Sequence, residues 1–584
     1  MRMSQLVGRR FKEKPAEAVI ASHAFLVRGG YIRQLSNGIF SLLPPGLRIA
    51  RKIERVIRDE MNRINGQEVL MPIVQTKELW EESGRYDSID DTLVRFKDRY
   101  NRDMVLAMTH EEAVLHLFRN EVSSYRDLPF MVFQIQTKFR DEPRPRGGLI
   151  RVREFTMKDA YSFHRTQADL EQYYQECLKS YLRIFSISGV PEVVVVKSDT
   201  GIMGGEIAHE FILLSDVGED TIAVCEGCGM HSNTDITDAR VSPVKETPLP
   251  MEKVHTPGCK TIEELSVFLK VPADHMAKVV FYDVDAAGLP VMAVIRGDIE
   301  INETKLARII GIVPTLASEE RAASCGAVPG YASIVGLDPD KCRIIVDRSI
   351  GESDNLVCGA NEVNHHFRNF NLSRDCSGIM TVDIGRAREG DLCAACGGRI
   401  AIKKGIEVGN IFQLGTKYTA RMGMRYQDEN GQECTPIMGC YGIGVGRLVS
   451  SVLEAHHDEN GPIWPISIAP WQVHINALKM SNPEVARAAN ELYNSLQDNG
   501  IEVLFDDRNE SPGIQFADAD LLGVPFRLVI GEKHIRDEEL EWKTRDKSES
   551  GMIKINDAVA FIRQRIGMAL NRVEAAADRI IMQD

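Results

Sequence analysis

The chain contains no apolar run approaching the roughly 18 residues that a membrane-spanning helix needs, so no transmembrane segment is expected. Residues Met1–Arg10 lack both an uninterrupted apolar core and a small-residue cleavage site, so a secretory signal is not expected either. There is no internal repeat and no low-complexity segment. A basic surplus is also missing. Lys+Arg number 70 against 84 Asp+Glu, a formal charge of −14, which excludes a globally basic surface that coats polyanions but leaves a local basic groove open. The 12 cysteines are too sparse in 584 residues for a disulfide scaffold. A cytoplasmic location with reduced thiols is the expectation.

What is present fits several folded domains. The chain is 43% hydrophobic and 26% charged, and its length gives a prior of about three or four domains. Ile49, Ile53, Val56, Ile57, Met61 and Ile64 recur at helical spacing over residues 46–64. Gly66 then reads as a helix stop, and the stretch from Glu68 as a strand ending at Pro72. After Pro465 apolar strands alternate with helices, for example 473–478 followed by 483–497, an α/β module of about 100 residues. The tail from about residue 567 reads as helical and charged.

Two segments concentrate the chemistry. Residues 131–142 and 149–155 read as strands joined by Pro143-Arg-Pro-Arg-Gly-Gly148. Parity places Arg140 with Glu142 on one face of the first strand, and Arg151, Arg153 and Phe155 on one face of the second, so the hairpin can present them to a single ligand. Guanidinium forks bind phosphate, a carboxylate accepts from an exocyclic amine and a phenyl ring stacks on a base, which are the needs of a nucleoside triphosphate. An exposed, salt-bridged ribbon is the plainer alternative. In residues 439–447, Gly442, Gly444 and Gly446 share one strand face, leaving it bare for a flat ligand, and Arg447 opens the helix that follows. This pattern is neither a Walker loop nor a dinucleotide fingerprint.

These residues resemble the signature motifs of class II aminoacyl-tRNA synthetases. Phe139-Arg140-Asp-Glu142 with Arg151-x-x-x-Phe155-x-x-x-Asp159 resembles motif 2, Gly442-Ile-Gly444-Val-Gly446-Arg447 resembles motif 3, and the helix and strand ending at Pro72 resemble motif 1, the dimer interface of that family. Thr109-His-Glu-Glu112, Glu154-Phe-Thr-Met-Lys-Asp-Ala-Tyr-Ser-Phe-His164 and Ile411-Phe-Gln-Leu-Gly-Thr-Lys-Tyr418 narrow the resemblance to the bacterial-type prolyl enzymes, over nearly the whole chain. Threonyl, seryl or glycyl relatives would share the motifs but not the insertion type or the 109–112 stretch. A catalytically dead paralogue would typically have lost Arg140, Arg151 or Arg447.

The resemblance implies a homodimer that activates proline with ATP and magnesium and transfers it to tRNA-Pro. It implies that Arg140 grips the α-phosphate and the proline carboxylate, that Glu142 reads the adenine amine, that Phe155 stacks on the base, and that Arg151 and Arg447 hold the outer phosphates. Thr109 and Glu111 would bind the proline imino group, Gln413 would line the site, and Arg144 and Arg146 would meet the tRNA acceptor end. Cys440 falls in the amino-acid pocket or is a buried structural thiol. The implied fold is a multidomain α/β protein: an α+β catalytic core with an antiparallel sheet (1–222 and 397–464), an inserted deacylase-like α+β domain (223–396), an α/β anticodon-binding domain (465–566) and a helical tail (567–584).

The insertion resembles the editing domain of bacterial prolyl enzymes, with Lys278, Gly330 and His366 at its functional positions and His365 as the neighbouring register. Cys225-Glu-Gly-Cys228 and Cys393-Ala-Ala-Cys396 flank it, and four thiolates so paired suit structural zinc. Their separation exceeds the usual spacing of a zinc ribbon, and many prolyl enzymes lack them. Phe505-Asp-Asp-Arg508, Pro512–Asp520 and Gly523–Arg527 resemble an anticodon-binding domain.

Overall fold

The computed structural model describes every residue except 206, 285–287, 339, 377 and 582–584. The chain forms two compact units: one comprises Met1–Val195, Thr200–Glu219 and Gly405–Asp584, the other Val196–Asp199 and Asp220–Lys404.

In the first unit, α1 (Pro44–Arg63) begins on two prolines suited to a helix start and buries Ile49, Ile53, Ile57 and Met61. It is followed by β1 (Gly66–Glu68), a shorter and earlier strand than the run to Pro72 that was expected. Further on come α2 (Glu111–Phe118), β2 (Phe130–Phe139), β3 (Glu154–His164), α3 (Gln167–Ser188), β4 (Ile207–Leu214), β5 (Ile400–Gly415), β6 (Ile437–Gly444) and α4 (Val445–Ala455). Within this unit the strands run in the order β4-β5-β6-β3-β2-β1, antiparallel except for the parallel β1–β2 pair.

Period-2 alternation gives this sheet two unlike faces. Phe133, Ala160, Tyr441 and Ile443 face the helices and join a core containing Tyr174, Tyr181, Phe185 and Leu448. Val132, Tyr161, Phe412 and Cys440 face the other way and pack with Val114, Tyr418 and Met438. Asp159, Gly442 and Gly444 share that second face by parity. This is the face that carries the site.

The C-terminal module of the same unit orders its strands as Val503–Asp506, Val473–Ala477, Phe526–Ile530, Glu539–Thr544 and Ser550–Lys554. The first three are parallel and the last two antiparallel. The helix Ala558–Ile581 closes it and runs unbroken past residue 567, so the tail is the second half of one helix rather than a separate piece. Arg183 of α3 donates to Glu574 at 3.0 Å and to Asp578 at 2.6 Å on that helix. Arg545, almost fully buried, chelates Asp458 beyond α4 at 2.7 and 3.0 Å, and so ties the module to the segment after the glycine strand.

The second unit contains a mixed sheet ordered Thr315–Leu316, Ala277–Asp283, Val291–Arg296, Arg343–Asp347, Thr381–Val382. A smaller antiparallel sheet pairs Glu252–His255 with His365–Phe370 and that strand with Leu356–Gly359.

Candidate active site

The floor of the site lies where the loop entering α2 meets the bare face of β6. Thr109 is buried and donates to Glu111 Oε2 at 2.6 Å. The Cys440 thiol, on β6, donates to Glu111 Oε1 at 3.2 Å, and burial beside that carboxylate pushes its pKa well above the ordinary value. Arg85 Nη1 reaches Glu111 Oε2 at 3.3 Å and Glu112 Oε1 at 3.0 Å. Both glutamates are fully buried. Thr109, Glu111 and Cys440 are therefore in one hydrogen-bonded group, and Cys440 is a buried thiol on the same sheet face as Val132 and Tyr161.

A second buried group braces this floor. Lys138 and Asp159 pair at 2.6 Å across β2 and β3. Burial alone would raise the Asp159 carboxyl, yet Lys138, His110 and a 2.9 Å hydrogen bond from Gln134 pull it below its ordinary value. Tyr161 donates to Asp159 at 2.8 Å and accepts from the His110 backbone N–H at 3.1 Å. Burial, then the Lys138 charge, pushes the His110 imidazole down to about 4, so it is neutral near pH 7. The chain between Thr109 and Glu111 is thus locked from below.

The arginines differ from expectation in their backbone. β2 ends at Phe139 and β3 starts at Glu154, so Arg140, Glu142, Arg144, Arg146, Arg151 and Arg153 belong to the connecting loop, and of the ligand-binding residues predicted on the hairpin only Phe155 is on a strand. The Arg140 N–H donates to the Arg153 carbonyl at 2.9 Å, the ladder is then interrupted around Pro143 and Pro145, and one isolated antiparallel pair, Arg146 with Arg151 at 3.0 and 3.2 Å, closes the loop. Face parity therefore does not govern these side chains. Arg140 is held by the Met108 carbonyl at 3.2 Å and its guanidinium carbon lies 5.4 Å from the Phe155 ring centre. Burial and the Arg447 charge lower its pKa, which places the two arginines in one electrostatic neighbourhood. Arg151 pairs with Glu142 at 2.9 Å and Glu219 at 2.9 Å, and Arg146 pairs with Glu219. Arg144 is exposed, with its backbone N–H 3.3 Å from Glu142.

The glycine segment is split between two elements. Gly442 and Gly444 are on β6, but the helix starts at Val445, so Gly446 and Arg447 occupy its first turn and Gly446 is not on the strand face as predicted. At Gly442 an added Cβ would approach Asn410 Oδ1 to 2.8 Å, whereas at Gly444 and Gly446 nothing comes nearer than 3.7 Å. The bare surface is real at the latter pair. Arg447 donates to Glu407 Oε2 at 2.7 Å and to the Ile150 carbonyl at 2.9 Å. Gln413 departs from the predicted lining: it accepts from Gln167, in the first turn of α3, at 2.7 Å, on the helix side of the sheet.

In the second unit, His366 is buried with its Nδ1 2.6 Å from Thr256 Oγ1 and its ring 5.5 Å from Tyr331. Burial, then the neighbouring His365, pushes its imidazole down to about 4. His365 is half-buried and 3.1 Å from Glu362, so only His366 is built into the interior. Gly330 has φ +81°, a left-handed conformation, and the next two carbonyls lie against Gly359, the strand partner of His366. Gly330 and His366 thus converge. Lys278 is on the other sheet, half-buried and electrostatically nearest Glu300, Asp298 and Glu263, and it shares no hydrogen bond or ion pair with either among the described residues.

The four knuckle cysteines come together, with all Sγ atoms within 4.8 Å of one another. Cys225 and Cys396 are 3.4 Å apart and Cys228 and Cys393 4.0 Å. Tetrahedral zinc with Zn–S bonds of about 2.3 Å requires S···S separations of roughly 3.8 Å, so the donor set fits that ion. Backbone N–H groups of Cys228 and Gly227 pull the Cys225 thiol down to about 6, toward the thiolate a metal needs.

Comparison with known proteins places the chain in a family. Residues 94–456 match the tRNA synthetase class II core domain (G, H, P, S and T), and residues 472–565 match an anticodon binding domain. The proline–tRNA ligase of Halothermothrix orenii is 46% identical over 97% of this chain and 99% of its own length, and that of Salinispora tropica is 43% identical over 98% of each. The chain belongs to the proline–tRNA ligase family of class II aminoacyl-tRNA synthetases. A crystal structure of prolyl-tRNA synthetase from Cryptosporidium parvum with halofuginone and AMPPNP shares the fold at TM-score 0.57 and 15% identity, over 98% of this chain and 82% of that one. No helix among the described residues is long and apolar enough to cross a membrane.

Membership of the family leaves several site residues that the motifs did not disclose. Arg85, Glu219 and Glu407 contact the expected residues directly, Glu112 reaches them through Arg85 and Lys138 through Asp159, yet none stands at a motif position with an assigned role. Glu112 was visible as the last residue of Thr109-His-Glu-Glu112, where a charged side chain opening an amphipathic helix passes for a solvated helix start. Arg85 carried no sequence signal.

Proposed function

We propose that the protein attaches proline to tRNA-Pro through a prolyl-adenylate. The observation that carries this reading is the buried Glu111 carboxylate, held by Thr109 and Cys440 beneath a glycine-lined sheet face with Arg140 at its edge. A carboxylate at the floor suits a cationic imino nitrogen, and the adjacent bare strand suits a flat base.

In the first step a proline carboxylate oxygen attacks the α-phosphorus of ATP and pyrophosphate leaves. In the second a terminal ribose hydroxyl of tRNA attacks the activated carbonyl and AMP leaves. Neither needs a strong general base, because positioning and charge stabilisation supply the acceleration. Arg140 takes the α-phosphate and the proline carboxylate, and Phe155, the ring already beside Arg140, takes the adenine. Glu142 reads the adenine amine. Arg151 and Arg447 take the outer phosphates after exchanging Glu219 and Glu407 for them. Glu407 offers the oxygen ligand that suits magnesium, and the ion would supply further neutralisation of the triphosphate. Arg144 and Arg146 on the exposed loop receive the acceptor end. The 472–565 module reads the anticodon.

The insertion hydrolyses Ala-tRNA-Pro. A pocket sized for proline excludes the smaller alanine weakly, since each missing methylene is worth only about 1–3 kcal/mol, and a second site removes the error. Convergence of Gly330 and His366 supports this assignment, with Lys278 on the strand whose preceding residue, Met276, bridges to Val357 of the His366 sheet. The cytoplasm is the compartment in which this substrate set occurs. A homodimer is supported by exposed Leu70 and Val74 beside Pro72, which line a largely apolar cavity of about 450 Å³ next to the motif 1 strand.

The test is charging of a tRNA-Pro transcript with labelled proline, together with hydrolysis of Ala-tRNA-Pro. Both activities are expected, and Lys278→Ala or His366→Ala should reduce only the second. Absence of proline transfer overturns the synthetic reading. Undiminished hydrolysis in both variants removes these residues from the editing site.

A further inference from the structure

The floor of the amino-acid site holds two adjacent carboxylates and a single guanidinium. Glu111 and Glu112 have no measurable side-chain exposure, and Arg85 approaches each through the same Nη1 atom. Ser83 Oγ donates to Glu112 Oε1 at 2.8 Å, as Thr109 and Cys440 do to Glu111. Arg85 is sandwiched near the Trp80 and Tyr418 rings, at 5.2 and 5.5 Å, which fix its plane.

The other charged groups around the floor do not restore neutrality. Lys138 and Asp159 compensate each other, and His110 is neutral near pH 7. Lys417, on the segment after β5, is exposed and donates to the Met203 carbonyl. Arg140 reaches over from the loop, where the reading above gives it a carboxylate and a phosphate to bind. Two carboxylates against one guanidinium leave one negative charge at the base of the pocket. A single Glu–Arg pair would brace the loop at less cost, because an uncompensated charge in a buried site is expensive.

We propose that Arg85 and Glu112 are positioning residues for the amino-acid site, dividing one positive charge between two carboxylates so that Glu111 offers a net negative charge to the cationic imino nitrogen of the substrate. This rests on the reading of Glu111 as the partner of that nitrogen. In a low-dielectric pocket such a charge favours a secondary ammonium over a neutral ring of the same shape.

The test uses the full-length protein in proline-dependent ATP–pyrophosphate exchange, with tetrahydrofuran-2-carboxylate, which replaces the ring nitrogen by oxygen, as a competitive inhibitor. Glu112→Gln should raise KM for proline roughly tenfold or more and leave KM for ATP within about twofold. The inhibition constant of the oxygen isostere should stay the same or fall. Arg85→Lys, which keeps the charge, should remain closer to the parent than Arg85→Met. An unchanged proline KM in Glu112→Gln overturns the proposal, and so does equal weakening of proline and the isostere, the signature of a merely structural role. If Glu111→Gln itself leaves proline KM unchanged, the underlying reading of Glu111 fails instead. Should Glu112→Gln not fold, Ser83→Ala carries the same comparison at about threefold.

Discussion

The two halves of the candidate active site are organised on opposite principles. On the amino-acid side, Thr109, Glu111, Cys440 and Arg85 are buried and already bonded in the geometry that a ligand would meet. On the phosphate side, Arg151 and Arg447 are half-buried, and each pairs with a carboxylate: Arg151 with Glu142 and Glu219, Arg447 with Glu407. Burial makes the first set rigid and expensive to perturb. Exposure makes the second set cheap to open, since surface ion pairs are worth only about 0–1 kcal/mol. A triphosphate can replace those carboxylates at little cost, whereas the floor must be complementary from the start.

The sharpest way to break this contrast is Glu111→Gln. Loss of a buried charged partner should cost proline binding about 3 kcal/mol, near 100-fold in kcat/KM for proline. Exchange kinetics measure it, and a change below tenfold would put the floor on the same footing as the loop. Next in size is Asp458→Asn, which removes the half-buried counter-charge of buried Arg545 in the scaffold that joins the C-terminal module to the segment after α4. Destabilisation of about 2 kcal/mol is expected in chemical denaturation. Hydrogen bonds from Arg545 hold the Asp458 carboxyl far below the usual range. Its contribution is therefore fully present above the unfolded carboxylate pKa and is lost as pH falls below about 4. The stability gap between the parent and Asp458→Asn should close on acidification.

Smaller effects test the phosphate side. Phe155→Ala should raise KM for ATP about five- to tenfold with little change for proline, since base–aromatic stacking is worth about 1–3 kcal/mol. Glu219→Gln should change KM for ATP by less than about threefold, because it only releases Arg146 and Arg151 from a surface pair. A large effect in that variant would show that the loop is preorganised like the floor.

Legibility in the sequence followed the same division. The helix at 46–64, the two glycine-arginine motifs, the cysteine pairs and the C-terminal module could be read from spacing and composition, because each is set by local periodicity or by residue types with few alternative uses. The faces of side chains near element ends could not. Arg151 and Arg153 read as part of a strand, but the ladder is interrupted around Pro143 and Pro145 and only the isolated Arg146–Arg151 pair remains before the strand resumes at Glu154. Gly446 was assigned to the strand and lies in the helix, since glycine spacing does not mark where a strand stops. A bulge in the β5–β6 pairing just after Gln413 adjoins a residue that faces α3, which no motif reports. Arg85 and the carboxylates that hold the loop arginines are brought in from distant segments, so only tertiary contact reveals them.

The proposed floor selects a cyclic amino acid, through its cationic imino nitrogen, for activation by ATP. Amino-acid-dependent ATP–pyrophosphate exchange, run with each standard amino acid in turn on the unmodified protein, tests it most directly. Robust exchange with proline, with alanine as a weak second, is the predicted result. Absence of proline-dependent exchange, or equal exchange with acyclic amino acids of similar size, would contradict it.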